Sequence, residues 1–128
     1  MTHLPIMNRE AFEAFILTLP AATLVRQWRD DSVAKVGGKI FCLLDCDPGE
    51  VWLKVSDFAF EMMRDMEGIR PAPYFARAGW VAISHHSPLS DMELRTYIED
   101  AHRIVAGRLS RKVRDQLGLV EGDQGKIA

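Results

Sequence analysis

Ser32-Val33-Ala34-Lys35-Val36, Gly37-Gly38, Lys39-Ile40-Phe41-Cys42-Leu43-Leu44-Asp45, then Pro48-Gly49 and Val51-Trp52-Leu53-Lys54-Val55: this unbroken stretch decides the fold. Two glycines between two β-rich runs predict a hairpin, because a two-residue primed turn needs φ > 0 and glycine supplies it without a Cβ clash. Pro-Gly then reverses the chain a second time. Three antiparallel strands follow from one piece of chain. Val51, Leu53 and Val55 share one side of the third strand, while Trp52 and Lys54 share the other.

Outward from this meander, the flanking segments read as helices that need a sheet to cover. Asn8 is placed to cap a first helix whose stripe is Phe12, Phe15, Ile16 and Leu19, with Met7 and Phe12 at staple spacing and Pro20 as its stop. Thr23 to Trp28 reads as an edge-like strand, and Arg29-Asp30-Asp31 as a polar turn into the meander. Ser56 predicts a second helix carrying Ala59, Met62, Met63 and Met66, with Gly68 just past its end. Ile69 to Tyr74 contains Pro71 and Pro73. It is excluded from a central strand, because each proline removes a ladder donor, and it reads as an extended loop. Gly79 to Ser84 predicts a short last strand.

The last helix announces itself with the capping box Ser90-Asp91-Met92-Glu93. Leu94, Tyr97, Ile98, Ala101, Ile104, Val105 and Leu109 hold one face. A basic end follows, with Arg103, Arg108, Arg111, Lys112 and Arg114 read as part of the same helix. The expected architecture is an α+β two-layer sandwich: an antiparallel sheet of about five strands with helices packed on one face. One domain is expected over residues 1–117, with a flexible tail over 118–128.

Bulk properties narrow the function classes. The chain has 128 residues, a formal net charge of -2 and 48% hydrophobic residues. This balance predicts no bulk attraction to nucleic acid or anionic membrane, so such binding has to come from a local patch. No apolar run is long enough to span a bilayer, and the start lacks the pattern of a signal peptide. Cys42 and Cys46 stand too far apart along a strand to bridge, which points to a reducing cytoplasm.

Three groups of residues bear on function. Trp52, expected beside Phe41 or Leu43 and Trp80, marks a possible aromatic face for a protein partner or small ligand; the alternative is that the Pro71–Tyr74 segment covers it. The cations of the last helix face either phosphates or only solvent, since basic residues also gather at helix C-termini to complement the dipole. His85 and His86 adjoin on an extended segment and are expected to point opposite ways. With no CxxC or HxxxH spacing, no metal site and no cofactor are assigned. His102 reads as a flank residue of the last helix. Catalytic motifs are missing: there is no phosphate-cradling glycine loop and no nucleophile elbow, so a non-enzymatic module is expected.

Val33 to Phe41 with its paired glycines, Pro71-Ala72-Pro73-Tyr74 leading to Trp80-Val81, and Ile104-Val105 to Leu109 with Arg111-Lys112 together resemble the MmcQ/YjbR family of small bacterial proteins. The resemblance runs from about Asn8 to Leu117. It implies a fold similar to the frataxin homologue CyaY, with terminal helices on one face of an antiparallel sheet. It also implies DNA as a partner, because members are commonly labelled DNA-binding through a double wing of hairpins. Carried onto this chain, the wing is the Lys35–Lys39 hairpin. The residues expected at nucleic acid are Lys35, Gly37, Gly38, Lys39, Arg77, Arg108, Arg111, Lys112 and Arg114; those of the ligand or partner face are Trp52, Tyr74 and Trp80. Relatives often carry a serine and an aromatic residue where this chain has Ala101-His102. The acidic ridge of frataxins is missing, as the first helix offers only Glu10 and Glu13 beside Arg9.

Overall fold

In the computed structural model, which describes residues 7–119, Gly37 and Gly38 take φ of 59° and 81° and close the expected hairpin. It joins β2 (Asp31–Val36) to β3 (Lys39–Leu44), and β4 (Val51–Lys54) pairs with β3 beyond the Pro48-Gly49 turn. β1 (Ala22–Gln27) lies outside β2, and β6 (Trp80–Ile83) pairs with β4. The sheet is antiparallel throughout, in the order β1-β2-β3-β4-β6-β5.

A sixth strand exceeds the expected five. β5 (Ile69–Pro71), where the prolines predict an extended loop, pairs with β6 through Ile69↔Ile83, Arg70↔Ala82 and Pro71↔Val81. The proline argument excludes a central strand only. At a sheet edge the missing donor faces no partner strand, and Pro71 ends the strand while Pro73 lies beyond it.

Helices α1 (Arg9–Ile16), α2 (Asp57–Met63) and α3 (Asp91–Gly107) cover one face. Their caps form as the sequence predicts: Asn8 accepts from the Ala11 amide, Ser56 from the Ala59 amide, and Ser90 and Glu93 make both bonds of the capping box. Against them the strands place Ala34, Val36, Cys42, Leu44, Val51, Leu53, Val81 and Ile83. Phe12, Ile16, Met63, Leu94 and Ile98 are fully or almost fully buried over this surface. Each large side chain removed from water in this way contributes roughly 1.5–3 kcal/mol.

A bulge breaks the alternation. Ala34 pairs with Cys42 but Lys35 pairs with Ile40, so Phe41 is the extra residue. Phe41 and Cys42 therefore both enter the helix-side core, and the Phe41 ring meets the edge of His102 at 5.2 Å. His102 is a core residue rather than a flank residue, 7% exposed, and its Nε2–H donates to the Pro20 carbonyl at 2.8 Å. Strict alternation predicts Phe41 as a candidate neighbour of Trp52, and the bulge moves it to the other side.

The basic end is also not one helix. α3 stops at Gly107, and Ser110 caps a separate helix, α4 (Arg111–Leu117), by accepting from the Val113 amide. Likewise α2 ends at Met63, so Gly68 is not its cap. Gly68, at φ 77°, lies where an added Cβ would come 2.3 Å from the Ser87 backbone nitrogen, which reserves the position for close chain approach. Gly118 ends α4 and Leu119 is buried in the core; the rest of the expected tail, 120–128, lies outside the described residues.

Candidate functional site

The second face of the sheet carries no helix and has two unlike ends. β3 runs from the glycine hairpin to the turn at Asp45–Gly49, so the two turns sit about 20 Å apart at ~3.3 Å per residue.

Cations gather at the hairpin end. An added Cβ on Gly37 would come 2.6 Å from Leu109 Cδ1, so the hairpin rests directly on the junction of α3 and α4. Lys39, Lys54 and Arg108 line one cleft of about 370 Å³, with Ile40, Trp80 and Leu109 as apolar walls. Lys54, not singled out from the sequence, is 6% exposed and its Nζ donates to the Ala78 carbonyl. Burial, and then the Arg108 charge, hold its ammonium below the ordinary lysine value, with Asp57 acting the other way. Arg77 lies exposed on the short 3-10 turn Ala76–Ala78, next to Ala78 of the cleft. Arg111 and Lys112 are exposed in the first turn of α4, and Lys35 lies half-buried on β2. Gly38 has open space around it. Arg114 is drawn elsewhere: its Nη1 donates to the carbonyls of Gly107 at 3.2 Å and Leu109 at 2.6 Å, satisfying the end of α3.

Arg9, Arg26, Arg64, Arg70, Arg95 and Arg103 each have a carboxylate within 4.0 Å. Among the described residues, Lys39, Lys54, Arg77, Arg108, Arg111 and Lys112 do not.

Aromatic side chains and acids gather at the other end. Trp28, Leu43, Trp52, Tyr74 and Phe75 line an open basin of about 390 Å³ together with Arg29, Asp31 and Asp45. Trp52 is half-buried, and its indole nitrogen donates to Glu50 Oε1 at 3.1 Å; Arg70 donates to the same oxygen at 2.7 Å. Phe75 meets Trp52 edge-on at 6.2 Å and lies over Trp80 at 5.1 Å. Trp80 is therefore closed off, 6% exposed in a small cluster with Ala72 and Ala82. The segment after Pro71 covers the β6 side of this face, and the β3–β4 side stays open. Tyr74 is 98% exposed at the rim.

Asp45 is 8% exposed, and burial raises its carboxyl above the usual range; Asp31 and Glu50 push the same way, while the Asp47 amide and Arg29 oppose them. Asp31, Asp45 and Cys46 bring possible ligand atoms within 4.8 Å of one another, but the Cys46 thiol donates to the Arg29 carbonyl at 2.7 Å. His85 and His86 do not point apart as expected: they sit in a turn with ring centroids 4.1 Å apart, beside Pro48, Gly49 and Glu50. Both cysteines are free. No helix among the described residues is long and apolar enough to cross a membrane.

A one-sided antiparallel sheet capped by helices, with cations at one end of the bare face and aromatic residues at the other, defines an α+β domain of open-faced sandwich type. The chain belongs to the YjbR family, whose model matches residues 17–104. The fold is similar to that of a Deinococcus radiodurans protein described as a DUF419 domain, at 22% identity and a TM-score of 0.78, covering 94% of this chain and 96% of that one. A Pseudomonas syringae protein is similar at 23% identity and a TM-score of 0.63, covering 77% of this chain and 98% of its own. No curated protein matches the sequence.

Proposed function

We propose that this protein is a non-enzymatic binding module that takes the phosphate backbone of nucleic acid at its hairpin end. The observation that carries this reading is the cleft lined by nearly buried Lys54 together with exposed Lys39 and Arg108, none of which has a carboxylate within 4.0 Å among the described residues. Burial first, and then the nearby Arg108 charge, lower the Lys54 pKa, and a bound phosphate would offset both by supplying a counter-charge. Lys35, Arg77, Arg111 and Lys112 extend the positive surface around the cleft. The Pro48-Gly49 turn contributes nothing to it, because Asp45, Asp47 and Glu50 surround that turn and repel phosphate.

Fluorescence anisotropy of labelled duplex and single strands across a salt series tests this. Binding is expected to weaken with a log–log salt slope of about one per phosphate contact, and Lys39→Gln with Arg108→Gln to flatten it by about two. No binding at low salt removes the reading.

A second reading has its own support. The open basin on the aromatic face has the size and apolar walls of a small-ligand site.

A further inference from the structure

We propose that the basin between Trp28, Trp52, Tyr74 and Phe75 binds a small organic cation carrying a quaternary or methylated ammonium group. The proposal rests on the small-ligand reading of this face and is independent of the hairpin end.

Three observations converge on that chemistry. The walls are aromatic, and the face of an aromatic ring is the negative part of its quadrupole, which attracts a cation that does not need hydrogen bonds. Asp31 and Asp45 also line the basin, and neither carboxylate has a cationic side-chain group within 4.0 Å among the described residues. One oxygen of each accepts a backbone amide, from Cys46 at 3.0 Å and Asp47 at 2.7 Å. Arg29, the one cation of the lining, turns its Nη2 toward the Asp47 carbonyl at 3.5 Å, so the two acids still outweigh it.

The rims show the third observation. Trp28 and Tyr74 are exposed, and both hold left-handed backbone, at φ 62° and 67°. Bulky residues rarely adopt that region, and such outliers collect where a ligand is held. Trp28 follows β1 and Tyr74 follows β5, so opposite edges of the sheet each send one aromatic residue to the same basin.

A neutral apolar ligand leaves the nearly buried Asp45 uncompensated, and an anion meets two acids. A compact ammonium with methyl groups satisfies both the ring faces and the carboxylates. The cavity, about 390 Å³, suits a free molecule of this kind.

Calorimetric and tryptophan-fluorescence titrations of the full chain with choline, with its neutral carbon isostere 3,3-dimethylbutanol, and with a trimethyllysine peptide separate the outcomes. Choline is expected to bind at least tenfold more tightly than the isostere. Asp45→Asn and Tyr74→Ala are each expected to weaken choline at least several-fold, and Tyr74, being fully exposed, provides a variant that does not threaten folding. Equal binding of choline and its isostere overturns the ammonium assignment while leaving the small-ligand reading standing. Binding of neither small molecule overturns both. Binding of the peptide alone assigns the basin to a protein partner instead and overturns the free-ligand proposal.

Discussion

The two faces of this sheet are made from alternate residues of the same strands, yet they differ in kind. Val51, Leu53, Val81 and Ile83 lie under three helices with no exposure, or nearly none, whereas Leu43, Trp52 and the segment after Pro71 leave a basin open to water. The closed face holds mainly apolar side chains whose partners are other side chains of this protein. The open face holds aromatic rings, acids and unpaired cations, groups whose chemistry is only half satisfied inside the chain. Stability is concentrated on the first and recognition on the second.

The largest test of that contrast is a pair of truncations. Ile98→Ala, fully buried on the closed face, is expected to cost about 4 kcal/mol, and Trp52→Ala on the open face about 1–2 kcal/mol, read from urea midpoints at unchanged m. Equal losses break the comparison.

Titration sharpens it with opposite signs. Burial, above all, holds His102 below the ordinary histidine value of 6.5, with Arg103 adding to this and the Pro20 carbonyl opposing it. The unfolded chain then binds more protons than the folded one, so stability is full above that value and falls as pH drops through it. Asp45 on the open face is raised, so its contribution runs the other way: stability is lost as pH rises from the ordinary carboxyl value of 3.8 toward its folded value. Chemical denaturation from pH 4 to 8 checks both. His102→Gln is expected to remove the loss that sets in as pH falls through 6.5 and to leave the opposite, Asp45-linked change in place.

The smallest effect is expected from Tyr74→Gly. Relief of left-handed backbone and the added freedom of the unfolded chain nearly cancel, giving a change within about 0.5 kcal/mol by thermal melting. A large destabilisation shows that the rim residue is structural.

Much of the architecture was legible in local chemistry. Paired glycines, cap serines and the staple at Met7 and Phe12 act over a few residues, so the hairpin and the starts of α1, α2 and α3 were readable directly. The two misses in the sheet share one cause: strand pairing and register are not specified by residue type alone. β5 is a strand because β6 lies beside it, and Phe41 turns inward because a bulge displaces it. The site divides in the same way. Lys39, Arg108 and Trp52 stood out from their neighbours in sequence, but Lys54 and Phe75 gained meaning only from Arg108 and from Trp52 and Trp80. Trp28 looked like a strand end, and its left-handed turn toward the basin has no signal in residue type.

By itself the sequence determined the class of fold, because turn residues, caps and apolar periodicity are local and each admits few backbone conformations. Tertiary structure alone decided which face stayed bare and which charges stayed unpaired. Those outcomes depend on where chain segments tens of residues apart come to rest: Gly37 on Leu109, Lys54 and Arg108 in one cleft, and Trp28 and Tyr74 in one basin.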